Sequence, residues 1–409
     1  MQNTPKSMRL QIALFGRTNV GKSSFLNLMA GQDIAITSSV PGTTTDVVEK
    51  PMEMIGVGPA VFLDTAGLDD KSVLGEERIK RTIKTLDRAD IITLVCEAEV
   101  WTDAEEMILA EAKKLNRMTI VIINKIDLQA PTEEFINRIK NDYKVTVVCV
   151  DSSSLDNRDK YLNVFKQAVI ANCPEDYLTP PPLLADLVPK HGLVVLLIPI
   201  DVQAPKGRII LPQVQAVRDC LDTDCACLIV KENDYVKTLE KLNVAPDLVV
   251  CDSQVVDFMV ENTPENVQCT TFSIIFSRLK GDMATFDAGL KAIDTLQDGD
   301  KILIAETCTH HATCDDIGRV KIPRWLKRYT QKELSYDVCA GRDYPDNLRD
   351  YKLIIHCGSC MINRQETLSR IAKAVDVNVP ITNYGMCISY CNKVYDRVVE
   401  PFKKSGALQ

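Results

Sequence analysis

No stretch of this 409-residue chain is an uninterrupted apolar run of bilayer length, and its first nine residues (MQNTPKSMR) are polar with no apolar h-region. Membrane insertion and a secretory leader are therefore not expected. A basic tail or stripe is missing too: the net charge is −8 and the pI near 5.3. Nothing forecasts a footprint for a phosphodiester backbone, and no K-homology GxxG module is seen, so nucleic acid is not an expected partner. Histidine is scarce, with four in the chain, His191, His310, His311 and His356. Fifteen cysteines are scattered and odd in number, which excludes a small disulfide scaffold and leaves some thiols free or metal-bound. A reducing, cytoplasmic setting is expected.

What is present is 45% hydrophobic content, enough for packed cores, and a length that predicts two to three domains. Leu10 to Phe15 is an apolar run that stops at Gly16-Arg17-Thr18-Asn19-Val20-Gly21-Lys22-Ser23, followed by Ser24 and a helical pattern. This is G-x-x-x-x-G-K-[ST] between strand and helix, a phosphate-binding P-loop in its proper context. Its glycines let backbone N–H groups wrap phosphates, Lys22 reaches the β and γ oxygens, and Ser23 ligates Mg²⁺. Ala60 to Leu63 leads into Asp64-Thr65-Ala66-Gly67, which puts a carboxylate at a strand end for the Mg²⁺ shell and offers the Gly67 N–H to the γ-phosphate. Thr119 to Ile123 ends in Asn124-Lys125-Ile126-Asp127, where the Asp127 carboxylate accepts from guanine N1–H and the 2-amino group. GTP and GDP are thus expected over ATP. The polar loop Pro41 to Asp46 suits a switch that orders around Mg²⁺, with Thr44 as its Mg²⁺ candidate.

On these motifs residues 10 to about 171 resemble the translation-factor-related GTPases of the TrmE and Era type. Leu68 stands where Ras-like proteins carry a water-positioning Gln, so that residue cannot serve hydrolysis. The resemblance implies instead a K⁺ ion held partly by Asn19, and Glu76 as the acidic residue after the switch. The guanine-contacting Ser-Ala motif expected after Val145 to Val150 appears only as Asp151-Ser152-Ser153-Ser154.

The Pro180-Pro181-Pro182 run marks residues 172–184 as a linker between a GTPase domain over 1–171 and the rest of the chain. Gly192 to Asp201 reads as a strand apolar on both faces and opens a middle α/β domain over 185–265, with further strands at Ala226 to Val230 and Leu248 to Cys251. Association, as a homodimer, is its default role. Over 266–409 the alternation continues, with strands expected at Thr271 to Phe276, Lys301 to Glu306, Lys352 to His356 and Val379 to Tyr384, and helices at Met283 to Leu296 and Glu366 to Val375. The fold class is therefore α/β: a P-loop GTPase domain followed by two smaller α/β domains with parallel sheets.

In the last domain Cys308, in Cys308-Thr309-His310, and the pair in His356-Cys357-Gly358-Ser359-Cys360 each follow a strand, so they are expected on one rim, where open α/β sheets bind ligands. Cys314 and Cys339 fall outside this repeated placement. Cys308, His310, Cys357 and Cys360 would make a Cys₃His zinc site. The same three thiolates suit a [4Fe-4S] cluster with one non-cysteine ligand. The residues alone leave both open.

The full-length order of TrmE-like GTPase, proline-marked linker, middle α/β unit and Cys-x-His followed at long spacing by His-Cys-x-x-Cys is similar to the HydF family of [FeFe]-hydrogenase maturation GTPases. That resemblance implies a [4Fe-4S] cluster on Cys308, Cys357 and Cys360, with His310, His356 or Asp201 as candidates for the fourth position. It implies a diiron precursor as cargo, radical-SAM maturases as donors and apo-[FeFe]-hydrogenase as recipient. The rival expectations are an RNA-directed GTPase of the TrmE/Era kind and a switch GTPase with a structural zinc.

Overall fold

The computed structural model describes residues 4–30, 47–54, 56–65, 67, 82, 84–174, 177, 182–200, 209–308 and 316–408. Thr44, Glu76, Asp201 and His310 lie outside the described residues, as do His311 and Cys314. The chain divides into two compact units, Met1–Pro180 and Pro181–Gln409.

The first unit is built on a six-stranded sheet in the order β2-β3-β1-β4-β5-β6, with β1 Leu10–Phe15, β2 Val48–Met54, β3 Gly58–Asp64, β4 Ile91–Glu97, β5 Met118–Asn124 and β6 Thr146–Cys149. All neighbours pair parallel except β2, which runs antiparallel to β3. Every residue of β1 is buried, because helices cover both faces of the sheet. Ile12 and Leu14 join one core layer with Phe25 and Phe165, whereas Ala13 and Phe15 join the other with Ile108 and Phe135. The helices are α1 Lys22–Ala30, α2 Asp103–Lys114, α3 Glu133–Tyr143 and α4 Arg158–Asn172. Helix α2 starts on a capping box, in which Thr102 and Glu105 each satisfy a backbone N–H at its first turn.

The second unit holds two parallel four-stranded sheets. The first has the order β10-β9-β7-β8, from β7 Leu193–Leu197, β8 Ala226–Val230, β9 Leu248–Cys251 and β10 Gln268–Thr271. The second has the order β12-β11-β13-β14, from β11 Lys301–Ala305, β12 Ser335–Cys339, β13 Leu353–His356 and β14 Ile381–Asn383. Their helices are α5 Leu211–Asp222, α6 Glu232–Lys241, α7 Val256–Asn262, α8 Phe272–Lys280, α9 Met283–Leu290, α10 Ile322–Thr330, α11 Arg364–Asp376, α12 Tyr384–Cys391 and α13 Tyr395–Lys404. One continuous apolar core runs through both sheets.

Three local expectations change. The expected strand Thr271 to Phe276 is the end of β10 followed by α8. Phe272, Ile274, Ile275 and Phe276 are all buried in that helix, and this short apolar run reads the same as a buried strand. The Thr271 side chain accepts the Ile274 N–H and starts the helix. Because β10 belongs to the first sheet, that sheet extends past residue 265, where the sequence places its border. The edge strand β12 has no counterpart among the sequence expectations, and it makes Cys339 a strand-end cysteine after all, paired with Ala305 of β11.

Candidate functional site

The P-loop fills the turn from β1 into α1. The Lys22 ammonium donates to the carbonyls of Gly16 and Arg17, both at 2.9 Å, so it lies folded over the loop it is expected to serve. Asn19 adopts a left-handed conformation and is exposed, as are Ser23 and Ser24. Asp64, at the end of β3, sits against the Ser23 hydroxyl, which brings the two expected Mg²⁺ ligands together. Burial pushes the Asp64 carboxyl up, against the pull of Lys50, Lys22 and Ser23. Gly67 backs directly onto Thr18 of the P-loop.

At the other end, the Asn124 amide Nδ2 donates to the Val20 carbonyl at 2.9 Å, while its Oδ1 accepts from Ser152 N–H at 3.2 Å and from Ser152 Oγ at 2.7 Å. Asn124 is thereby held between P-loop and base corner. Asp127 is exposed at that corner. Glu97 accepts from Lys125 at 2.6 Å and lies 3.7 Å from Arg17, whose Nε also donates to the fully buried Glu105 at 2.8 Å. Sequence reading misses Glu97 and Glu105 as supports of the nucleotide loops. The Thr102-x-x-Glu105 capping pattern was the available signal for the second.

The thiols gather at the carboxyl end of the second small sheet. Ala305 of β11 pairs with His356 of β13, and His356 with Asn383 of β14, so the segments bearing Cys308, Cys357 and Cys360 leave one rim side by side. Cys357 Sγ lies 3.2 Å from both the N–H and the hydroxyl of Thr307. Burial pushes the Cys308 thiol up to about 12, and Cys357 and Cys360 push it the same way. Burial, followed by Cys357, likewise pushes Cys360 up to about 12. Burial first, and the neighbouring thiols after it, keep these groups protonated, and metal ligation would deprotonate them. Among the described residues no group of three or more His, Cys, Asp or Glu side chains closes on a metal position as it stands. The donor set fits an iron-sulfur cluster or zinc in kind, with three sulfurs on adjoining loops.

His356 takes a different place from the one expected of a ligand. It is fully buried, with Nδ1 2.9 Å from the Cys357 carbonyl and 3.4 Å from Ser359 Oγ, and Nε2 3.5 Å from the Arg370 guanidinium. Burial first, then the Arg370 charge, drive its pKa down to about 3. Both ring nitrogens are thus engaged inside the protein, and His356 braces the Cys357–Cys360 turn instead of facing a metal. Ser359, in that turn, has a left-handed backbone.

Three domain models match the chain: a 50S ribosome-binding GTPase over residues 11–125, a hydrogen maturase F dimerization domain over 183–281 and a hydrogen maturase F tetramerization domain over 284–401. Among curated relatives, the tRNA modification GTPase MnmE of Synechococcus sp. (strain JA-3-3Ab) is 39% identical over 158 residues, 37% of this chain and 33% of that protein. GTPase Der of Persephonella marina is 38% identical over 144 residues, 34% of this chain and 32% of that protein. The chain therefore spans about a third of the length of these relatives. Among solved structures, Aquifex aeolicus Era aligns at 21% identity and a TM-score of 0.33, covering 57% of this chain and 98% of that one. With a P-loop GTPase domain in front and both maturase-specific domains in tandem behind it, the chain belongs to the hydrogen maturase F family.

Proposed function

We propose that this protein is a cation-activated GTP hydrolase that serves as a [4Fe-4S] scaffold and carrier in the maturation of [FeFe]-hydrogenase. The observation that carries the reading is the rim of Cys308, Cys357 and Cys360, set on adjoining strand-end loops within the span that matches the tetramerization domain. A [4Fe-4S] cluster held by Cys308, Cys357 and Cys360 would supply an iron with an exchangeable position for the diiron cargo. The chain's own part is to hold those thiolates on fixed loops, with Thr307 donating to Cys357 and His356 bracing the turn. Asp201 and His310 remain the candidates for the fourth position. Radical-SAM maturases are the proposed donors of the cargo and apo-[FeFe]-hydrogenase its recipient, in the cytoplasm.

In the GTPase domain, Lys22 exchanges the Gly16 and Arg17 carbonyls for phosphate oxygens when nucleotide enters. Ser23, Asp64 and Thr44 hold Mg²⁺, Asn19 contributes to a K⁺ site, and Gly67 and Glu76 belong to the switch. Nucleotide state alters the docking surface for partner proteins and drives no bond making at the cluster. Two measurements test this. Lys22→Ala should lower GTP turnover at least a hundredfold and lower hydrogenase activation with it; activation left intact would sink the coupling. Strictly anaerobic purification followed by metal analysis should find iron and sulfide, and zinc without iron would replace the carrier by a structural zinc protein.

A further inference from the structure

Along the cysteine rim the residues that come after Ala305, His356 and Asn383 are Glu306, Cys357 and Tyr384, in corresponding positions just past the ends of three neighbouring strands. Tyr384 is 9% exposed, and its hydroxyl is buried without a hydrogen-bond partner among the described residues. Glu306 is 2% exposed and pairs through Oε2 with Arg319 at 3.0 Å. A Cβ added to Gly318 would stand 2.2 Å from Tyr384 Oη and 2.7 Å from Glu306 Oε1. Both oxygens therefore pack onto the bare backbone of Gly318, and any side chain there would displace the Tyr384 hydroxyl. Burial acts first on the Tyr384 hydroxyl, and after it the charges of Cys357, Glu306, Asp316 and Cys308 reach it. A buried hydroxyl without an acceptor is unfavourable, and such groups in native proteins commonly mark a missing partner.

We propose that Tyr384 donates a hydrogen bond to an anionic acceptor seated beside Cys357 when the rim is loaded. Because the proposal rests on the cluster reading, the acceptor is either inorganic sulfide of the cluster or a small anion bound at its non-cysteine position. Glu306, held by Arg319, lies on the Gly318 side of the hydroxyl.

The test uses full-length protein reconstituted anaerobically with iron and sulfide, comparing wild type with Tyr384→Phe at measured iron content. Midpoint potentials are taken by titration followed by electron paramagnetic resonance, and potassium cyanide is then titrated as the probe anion. If sulfide is the acceptor, Tyr384→Phe lowers the midpoint potential with no anion added, since hydrogen bonds to cluster sulfurs help set it. If an added anion is the acceptor, the potential stays and the Kd for cyanide rises about tenfold, the worth of one hydrogen bond. Gly318→Ala, whose new methyl displaces the hydroxyl, should reproduce whichever shift is seen. The apoprotein of Tyr384→Phe should melt no lower than wild type, because the hydroxyl has no partner to lose; a clear drop would make the role structural and overturn the proposal. Equal iron with unchanged potential and unchanged cyanide affinity would also overturn it while leaving the cluster in place. A wild-type protein that takes up no iron would remove the cluster reading and this proposal together.

Discussion

Glu49 shows how single charges set the acid limit of the GTPase unit. It sits on the edge strand β2, 2.7 Å from Lys6 and 2.6 Å from Arg88. Burial alone would raise its carboxyl, but the hydrogen bond from Lys6 and the charge of Arg88 outweigh it and hold the pKa down to about 2. The unfolded chain then binds this proton more readily than the folded one. Its contribution is complete above the ordinary carboxylate value near 4.5 and is lost as the pH falls through about 2. The melting temperature of the wild type should therefore fall more steeply between pH 4.5 and pH 2 than that of Glu49→Gln, and parallel slopes would show that the pair does not form. At this scale the sequence was most informative where chemistry dictates residue type, as in Lys22, Asp64 and Asn124. It was least informative where a role depends on a neighbour brought from far away. Glu97 shared by Arg17 and Lys125, or the turn of His356 toward Arg370, leaves no mark in spacing.

Among elements, the short helix α9 lies so close to β14 that a Cβ on Gly289 would meet the Ile381 carbonyl oxygen at 2.0 Å and its carbon at 2.6 Å. Helix propensity favours Ala over Gly by about 1 kcal/mol. Forcing a methyl into a closed contact costs about 1–3 kcal/mol. The clash is with backbone, which yields least, so Gly289→Ala should lower the urea midpoint despite the better helix former; a raised midpoint would refute the close approach. The elements legible in the sequence are those with one face exposed or a strand buried on both sides, such as β1, β8, β9 and α11. Helix α8 reads as a strand because Phe272, Ile274, Ile275 and Phe276 form a nearly unbroken apolar run, and β12 leaves no strand signal because Ser335-Tyr336-Asp337-Val338-Cys339 is half exposed and polar at an edge.

Over the whole chain, matches to a dimerization and a tetramerization domain give surface features a purpose. Strand β8 is an edge of its sheet, with Ile229 48% exposed and Val214 and Leu221 of α5 also exposed. An unpaired edge with apolar side chains invites a second chain. Ile229→Lys should accordingly shift the mass measured by light scattering toward smaller species, and an unchanged mass would place the contact elsewhere. The order of domains and the alternation of strands and helices were legible along the sequence. The merging of both small sheets into one core was not, because it depends on α8 packing against α5 on one side and against α11 and α12 on the other. That shared core ties the two small sheets of the second unit together. The cysteine rim and the β8 edge stand on that one core, so they are expected to unfold together in a single calorimetric transition.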